Sequence, residues 1–132
     1  MFGGRWNPIG MPMLYSASSV SLAALEKFVQ LEGAGWPALV LVAIDMPDSS
    51  AVYRPALDEL PDGWDAMPTS GAAQAYGAAW INSVSSLAMA VPSVITPEER
   101  NILLNPIHPD YAKVEMRVVR PFLYDERMLK RN

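Results

Sequence analysis

Arg5, Tyr15 and Glu26 are the residues in the first third of the chain whose types, taken together, can do chemistry. An arginine brings a fixed charge and a planar fork of donors that grips a pyrophosphate or a ribose, a grip lysine does not reproduce. A tyrosine brings a flat ring on which a base or another ring can stack, and a hydroxyl beside it. A glutamate near a ribose can hold its hydroxyls and offset the positive charge that grows as an N-glycosidic bond opens through an oxocarbenium-like sugar. The combination suits a nucleotide.

Positioning them falls to the stretch GGRWNPIGMPMLYSASSVSLAALE, Gly3 to Glu26. Its three glycines and two prolines before Met13 read as a loop whose backbone approaches something closely. Met13 to Ser16 reads as a short strand, and Ser16, Ser18 and Ser19 offer caps for a helix from about Ser19 to Glu32. Leu22, Leu25 and Val29 form that helix's expected buried stripe, and Gly33 and Gly35 its stop. At about 100° per residue, Glu26 sits roughly 40° from Leu22, on the border of the stripe, where a carboxylate is partly buried.

Further along, Pro37 to Asp45 is a continuous aliphatic run, expected as a strand at the centre of the sheet. Ala51 to Arg54 reads as a second short strand. Pro55 to Ser70 reads as a long irregular connection of the kind that covers sites. Gly71 to Ser83 suggests a helix despite Gly77, and Leu87 to Val91 a strand running into Pro92 and Ser93. Thr96 and Pro97 read as cap and first turn of a short helix to Leu104, followed by a turn over Asn105 to Pro109. Val114 to Arg120, extended or paired by Phe122 to Tyr124, reads as the last strand, with Lys130 and Arg131 in a solvated tail. These elements make one α+β domain, a mixed sheet with flanking helices.

Composition narrows the function. The chain has 132 residues, 51% hydrophobic and 18% charged, a globular balance large enough for a core without a metal or disulfide. It has no cysteine, which removes disulfides, thiolate nucleophiles and cysteine metal sites, and agrees with a reducing cytoplasm. Ten basic against fourteen acidic residues leave a formal charge of −4, with no basic field for direct nucleic-acid binding. The longest apolar run, Ala38 to Ile44, is too short to cross a bilayer. The usual glycine-rich dinucleotide and phosphate loops, the serine hydrolase elbow and the zinc protease motif are all absent. His108 is the only histidine and reads as a turn residue in NPIHP, so no multi-histidine metal site is expected.

Plainer readings stand beside these. Glu26 can be a helix-surface glutamate, Arg5 a surface charge, Tyr15 a core strand residue and Ser93 the polar stop after a strand. Trp6, Trp64 and Trp80 read as core or pocket wall. Spacing alone does not make the chain an enzyme.

The order of motifs adds to this. GGRWNPIGMPMLYSASSVSLAALE, then VPS at Val91 to Ser93, then LLNPIHPDY at Leu103 to Tyr111, resembles the RES domain family, named for arginine, glutamate and serine. The resemblance covers nearly the whole chain, 1–132, as a single RES domain. It implies a fold like the diphtheria-toxin-related ADP-ribosyltransferases. It also implies the toxin of a type II toxin–antitoxin system, cytoplasmic and free of metal, with NAD as substrate. The reaction it implies splits the nicotinamide–ribose bond by water or phosphate. The alternatives are transfer of ADP-ribose to a protein, or a non-catalytic module that only binds an antitoxin or another copy of itself. The implied partner is a DNA-binding antitoxin of the Xre type whose C-terminal part covers the cleft, within an assembly that can include a homodimer of the toxin.

Carried over by motif, the arginine of GGRWN is Arg5, the tyrosine of the next strand Tyr15, the glutamate of ALE Glu26 and the serine of VPS Ser93. Arg5 and Ser93 are then expected to hold phosphates or the nicotinamide ribose, Tyr15 to pack beside nicotinamide, and Glu26 to bind ribose hydroxyls. Three departures are visible. The family ordinarily has another strand before GGRWN, whereas here Met1 lies two residues before Gly3. Gln30 stands where many members have histidine. Met89 and Ala90 lack an arginine common before VPS.

Overall fold

The computed structural model describes residues 3–31 and 38–128. The sequence expectations for Glu32, Gly33, Gly35, Pro37, Lys130 and Arg131 lie outside the described residues. The described residues form six strands and two α-helices. Strand β1 (Leu14–Ala17) leads into helix α1 (Val20–Gln30), strand β2 (Leu39–Asp45) and the two-residue strand β3 (Val52–Tyr53). Helix α2 (Ala72–Ser83), strands β4 (Ala88–Pro92) and β5 (Arg100–Leu104), and strand β6 (Glu115–Phe122) complete the order.

The strands form two sheets. A four-stranded sheet runs in the order β1-β5-β4-β3, antiparallel except for the parallel pair of β3 and β4. Every residue of β4 is buried, as an apolar strand covered on both faces should be. Met89 and Val91 of β4 share a face with Leu103 of β5, and Ala73, Trp80 and Ile81 of α2 pack on that face with Trp6. Trp80 fits there because its indole N–H donates to the Ser86 hydroxyl at 2.9 Å, so no buried donor is left unpaired. Buried Asn105 is likewise satisfied, donating to the Ile81 carbonyl at 3.0 Å and accepting from the Ile107 amide at 3.1 Å.

Two expectations fail, and each failure has a cause. Residues 96–104 do not form a helix. Thr96 and Pro97 start one turn, closed by the Glu99 amide on the Thr96 carbonyl at 2.9 Å, and the chain then extends as β5. Tertiary pairing overrides the local helix signal, because β5 is bonded on both sides, to β1 and to β4. Strand β2 is not central either. It pairs with β6 in a separate two-stranded ribbon with a bulge at Leu41 and Val42, and Val40 and Val42 are 54% and 41% exposed.

Helix α1 begins as its sequence says. Ser19 is extended and its hydroxyl accepts from the Leu22 amide at 3.1 Å, a standard N-cap. Its buried stripe is narrower than expected: Leu22 is 1% exposed, Leu25 is intermediate, and Val29 is 54% exposed. Val29 has moved from core to cavity wall, as described next.

Helix α2 carries Gly77 for a reason that periodicity does not reveal. A Cβ at Gly77 would overlap the carbonyl oxygen of Trp6, so the glycine lets the 3–12 loop lie directly on the helix. Gln74, one turn earlier, donates to the Gly4 carbonyl at 3.0 Å and ties the same loop down.

Candidate functional site

A cavity of about 590 Å³ opens between the 3–12 loop, β1, α1 and the segment after β4. That size is in the range of small-molecule sites. Arg5, Tyr15 and Glu26 all line it, together with Val29 and Gln30 of α1 and Met67 of the 55–70 connection. Trp6, Met13, Val94 and Ile95 supply much of its apolar wall.

The loop is folded around the hydroxyl of Tyr15. That hydroxyl accepts from the Trp6 amide at 3.1 Å and donates to the side-chain oxygen of Asn7. Asn7, only 2% exposed, passes its own amide N–H to the Met11 carbonyl at 2.8 Å. Gly4 must be glycine here, because a Cβ would lie 2.5 Å from the tyrosine oxygen. The hydroxyl is therefore committed to the loop, while the ring remains on the cavity wall, Tyr15 being 42% exposed. Burial pushes the phenol above its ordinary pKa. The Trp6 and Asn7 hydrogen bonds and the Arg5 charge oppose that rise.

Arg5 is aimed by backbone and not by a counter-ion. One of its terminal nitrogens donates to the carbonyls of Trp64 and Ala66 at 2.9 and 3.0 Å, and the other reaches the Met67 sulfur at 3.0 Å. The three ion pairs among the described residues, Lys113 with Asp110, Arg117 with Asp45 and Arg127 with Asp125, do not involve it. Neutral acceptors fix the guanidinium without cancelling its charge, which leaves that charge available to an anionic ligand. Trp64 also stacks near Trp6, with ring centroids 6.0 Å apart. The long connection thus packs on the loop that carries Arg5.

Glu26 comes from α1, half-buried as its border position required. Among the described residues its one hydrogen bond is a long one, 3.4 Å, from the Ser93 hydroxyl. Ser93 itself is fully buried and does not line the cavity; its oxygen accepts from the Ile95 and Thr96 amides at 3.1 and 3.2 Å. It shapes the turn after β4 and stands behind the carboxylate. The structure thus brings Arg5, Tyr15 and Glu26 to one cavity, with Ser93 in its second layer.

His108 lies elsewhere, its Nδ1 accepting from the Asp110 amide at 3.0 Å as the cap of the turn at 109–113. No cluster of three or more metal-ligating side chains occurs among the described residues. No helix among them is long and apolar enough to cross a membrane.

Sequence reasoning passed over two contributors. Asn7 stands inside the motif that drew attention to Arg5, and its burial between prolines and glycines has no periodic signal. Asn101 lines the cavity from β5, a strand that the sequence presents as a helix.

Comparison with known proteins points one way. The model of the RES domain family matches residues 1–125. A protein of Sphingobium sp. (strain YBL2) named Prs ADP-ribosylating toxin is 44% identical over 134 residues, covering 98% of this chain and 82% of the relative. Proteins named Toxin Res from Photorhabdus laumondii and Yersinia enterocolitica are each 36% identical, covering 98% and 96% of this chain and 84% of each relative.

Proposed function

The chain belongs to the RES domain family, and from that premise we propose that it is a bacterial toxin that cleaves NAD at the bond between nicotinamide and ribose. The observation that carries the proposal is the convergence of Arg5, Tyr15 and Glu26 on one cavity of about 590 Å³. We read the fold as one of the ADP-ribosyltransferase type. The support is a ligand-sized cleft beside a mixed sheet, with a carboxylate and an arginine on its rim.

In the mechanism, the Arg5 guanidinium binds the pyrophosphate, to which its uncompensated charge is suited. The Tyr15 ring packs against the nicotinamide. Glu26 accepts hydrogen bonds from the ribose hydroxyls and stabilises the oxocarbenium-like sugar as the C1′–N bond breaks. The electron pair of that bond goes to the ring nitrogen and releases neutral nicotinamide. An oxygen or nitrogen nucleophile then bonds to C1′ and loses its proton. Ser93 bears on this through its long hydrogen bond to Glu26 and through the turn that carries Ile95.

The acceptor is water or phosphate in the first reading. Transfer to a protein is the second, favoured by the name of the Sphingobium relative, an ADP-ribosylating toxin. Either activity harms the cell that makes it, so we assign a silencing partner, an Xre-type antitoxin that covers the cleft, and a cytoplasmic place of action where NAD is abundant.

The test is nicotinamide release from NAD by the purified chain, with and without a candidate protein acceptor. Turnover by the unaltered protein and its loss in Glu26→Gln, with unchanged thermal unfolding, are expected. Absence of turnover under both conditions contradicts the proposal.

A further inference from the structure

Asn101 is the one cavity-lining residue of β5. Its cross-strand partners are Ala17 on β1 and Val91 on β4. Tyr15 faces Leu103, two residues further along β5. Side chains two apart on a strand share a face, so Asn101 stands on the same face of the sheet as Tyr15, diagonal to it. Such diagonal neighbours lie about 7–8 Å apart at their Cα atoms, a separation that a ring stacked on the tyrosine and a substituent on its edge would span.

Its chemistry sets it apart from what surrounds it. Nearby, Pro92, Val94 and Ile95 present apolar atoms, and the Tyr15 hydroxyl is already bonded to the 3–12 loop. The Asn101 side chain makes no hydrogen bond to any described residue. A primary amide offers one acceptor and two donors in a plane, and its natural complement is another primary amide, which can pair with it through two bonds at once. A strand position pinned by hydrogen bonds to both neighbours is also a rigid mount, better suited to reading a substituent than a loop would be.

We propose that Asn101 is a specificity-determining residue that pairs with the carboxamide of the nicotinamide ring stacked on Tyr15. This rests on the NAD reading above and deepens it. The pairing would select NAD over dinucleotides whose pyridine carries a different substituent, and it would hold the ring so that the scissile bond faces Glu26.

The experiment compares NAD with its 3-acetylpyridine analogue, in which a methyl ketone replaces the carboxamide and removes its donors. kcat/KM is measured for both with the full chain, Asn101→Ala and Asn101→Asp. Asp keeps the shape and loses the donors, which guards against a folding defect in Ala; thermal unfolding is followed for each. The unaltered protein is expected to prefer NAD. Asn101→Ala gives up two bonds to the carboxamide but only one to the ketone, so it should lose roughly tenfold more on NAD than on the analogue, about one hydrogen bond's worth, whereas Asn101→Asp keeps the acceptor for the carboxamide N–H and should lose on both substrates while still preferring NAD. The NAD-to-analogue ratio therefore collapses in Asn101→Ala and survives in Asn101→Asp.

Equal losses on both substrates in Asn101→Ala, with the ratio unchanged, overturn the assignment of Asn101 and leave the NAD reading standing. An unaltered protein that turns over neither substrate overturns the NAD reading and this inference with it.

Discussion

At Tyr15 a single side chain serves two parts of the site, and the parts separate on substitution. Its hydroxyl holds the Trp6 amide and Asn7, and its ring lines the cavity. Tyr15→Phe keeps the ring and orphans both partners, so it should lower stability by about 1–3 kcal/mol, read by denaturant unfolding. Because burial raises the phenol pKa in the folded state, deprotonation is easier in the unfolded chain. The stability tied to this group is therefore fully present below the ordinary tyrosine pKa and is lost as pH rises through the raised one. Thermal unfolding between neutral and strongly alkaline pH should fall more steeply in the native protein than in Tyr15→Phe. Arg5→Lys keeps the charge but gives up the planar fork, one of whose terminal nitrogens bonds Trp64 and Ala66 while the other reaches Met67. Charge-assisted bonds of this kind contribute about 2 kcal/mol, so kcat/KM for NAD should drop at least tenfold, measured by nicotinamide release.

Elements decide whether those residues meet. Gly77→Ala would improve helix propensity in an isolated peptide by up to about 1 kcal/mol. In this fold the added methyl meets the Trp6 carbonyl, so the variant should instead lose about 1–3 kcal/mol and displace the loop that carries Arg5, seen as a lower Tm together with lost turnover. Ser19→Ala, at the cap of the helix that carries Glu26, should cost about 1 kcal/mol in denaturant unfolding and leave the cavity residues in place.

The same elements mark what the sequence could express. The cap at Ser19 and the border position of Glu26 are local features, written in neighbouring residues, and α1 begins where its sequence predicts. Strand β5 is the opposite case. Thr96 and Pro97 are a genuine helix-start signal, and only pairing to β1 and β4, strands distant in the chain, turns Arg100–Leu104 into a strand and Asn101 toward the cavity. Strand β2 reads as central because aliphatic content signals burial but not partnership; its only neighbour among the described residues is β6. Gly77 looked like a weakness in a helix because the backbone that needs its space is Trp6, 71 residues away.

At the scale of the whole molecule, the described residues divide into a four-stranded sheet with a fully buried β4, a two-stranded ribbon, and a cavity beside β1. Loop, strand, helix and the long 55–70 connection each contribute one wall to that cavity, so the site depends on the complete fold and not on any one segment. The motif residues were legible one by one, Arg5, Tyr15 and Glu26 by their types and by family resemblance. Their convergence is a property of the assembled chain. A net charge of −4 on the molecule leaves nucleic acid as a poor direct partner, so any link to DNA would run through the proposed antitoxin.

The account stands most directly on where a dinucleotide binds. A crystal structure of the Glu26→Gln variant soaked with NAD is predicted to show the pyrophosphate at Arg5, the nicotinamide against the Tyr15 ring, and the adjoining ribose hydroxyls within hydrogen-bond distance of residue 26. NAD seated outside this cavity, or inside it with the nicotinamide ribose turned away from residue 26, would contradict it.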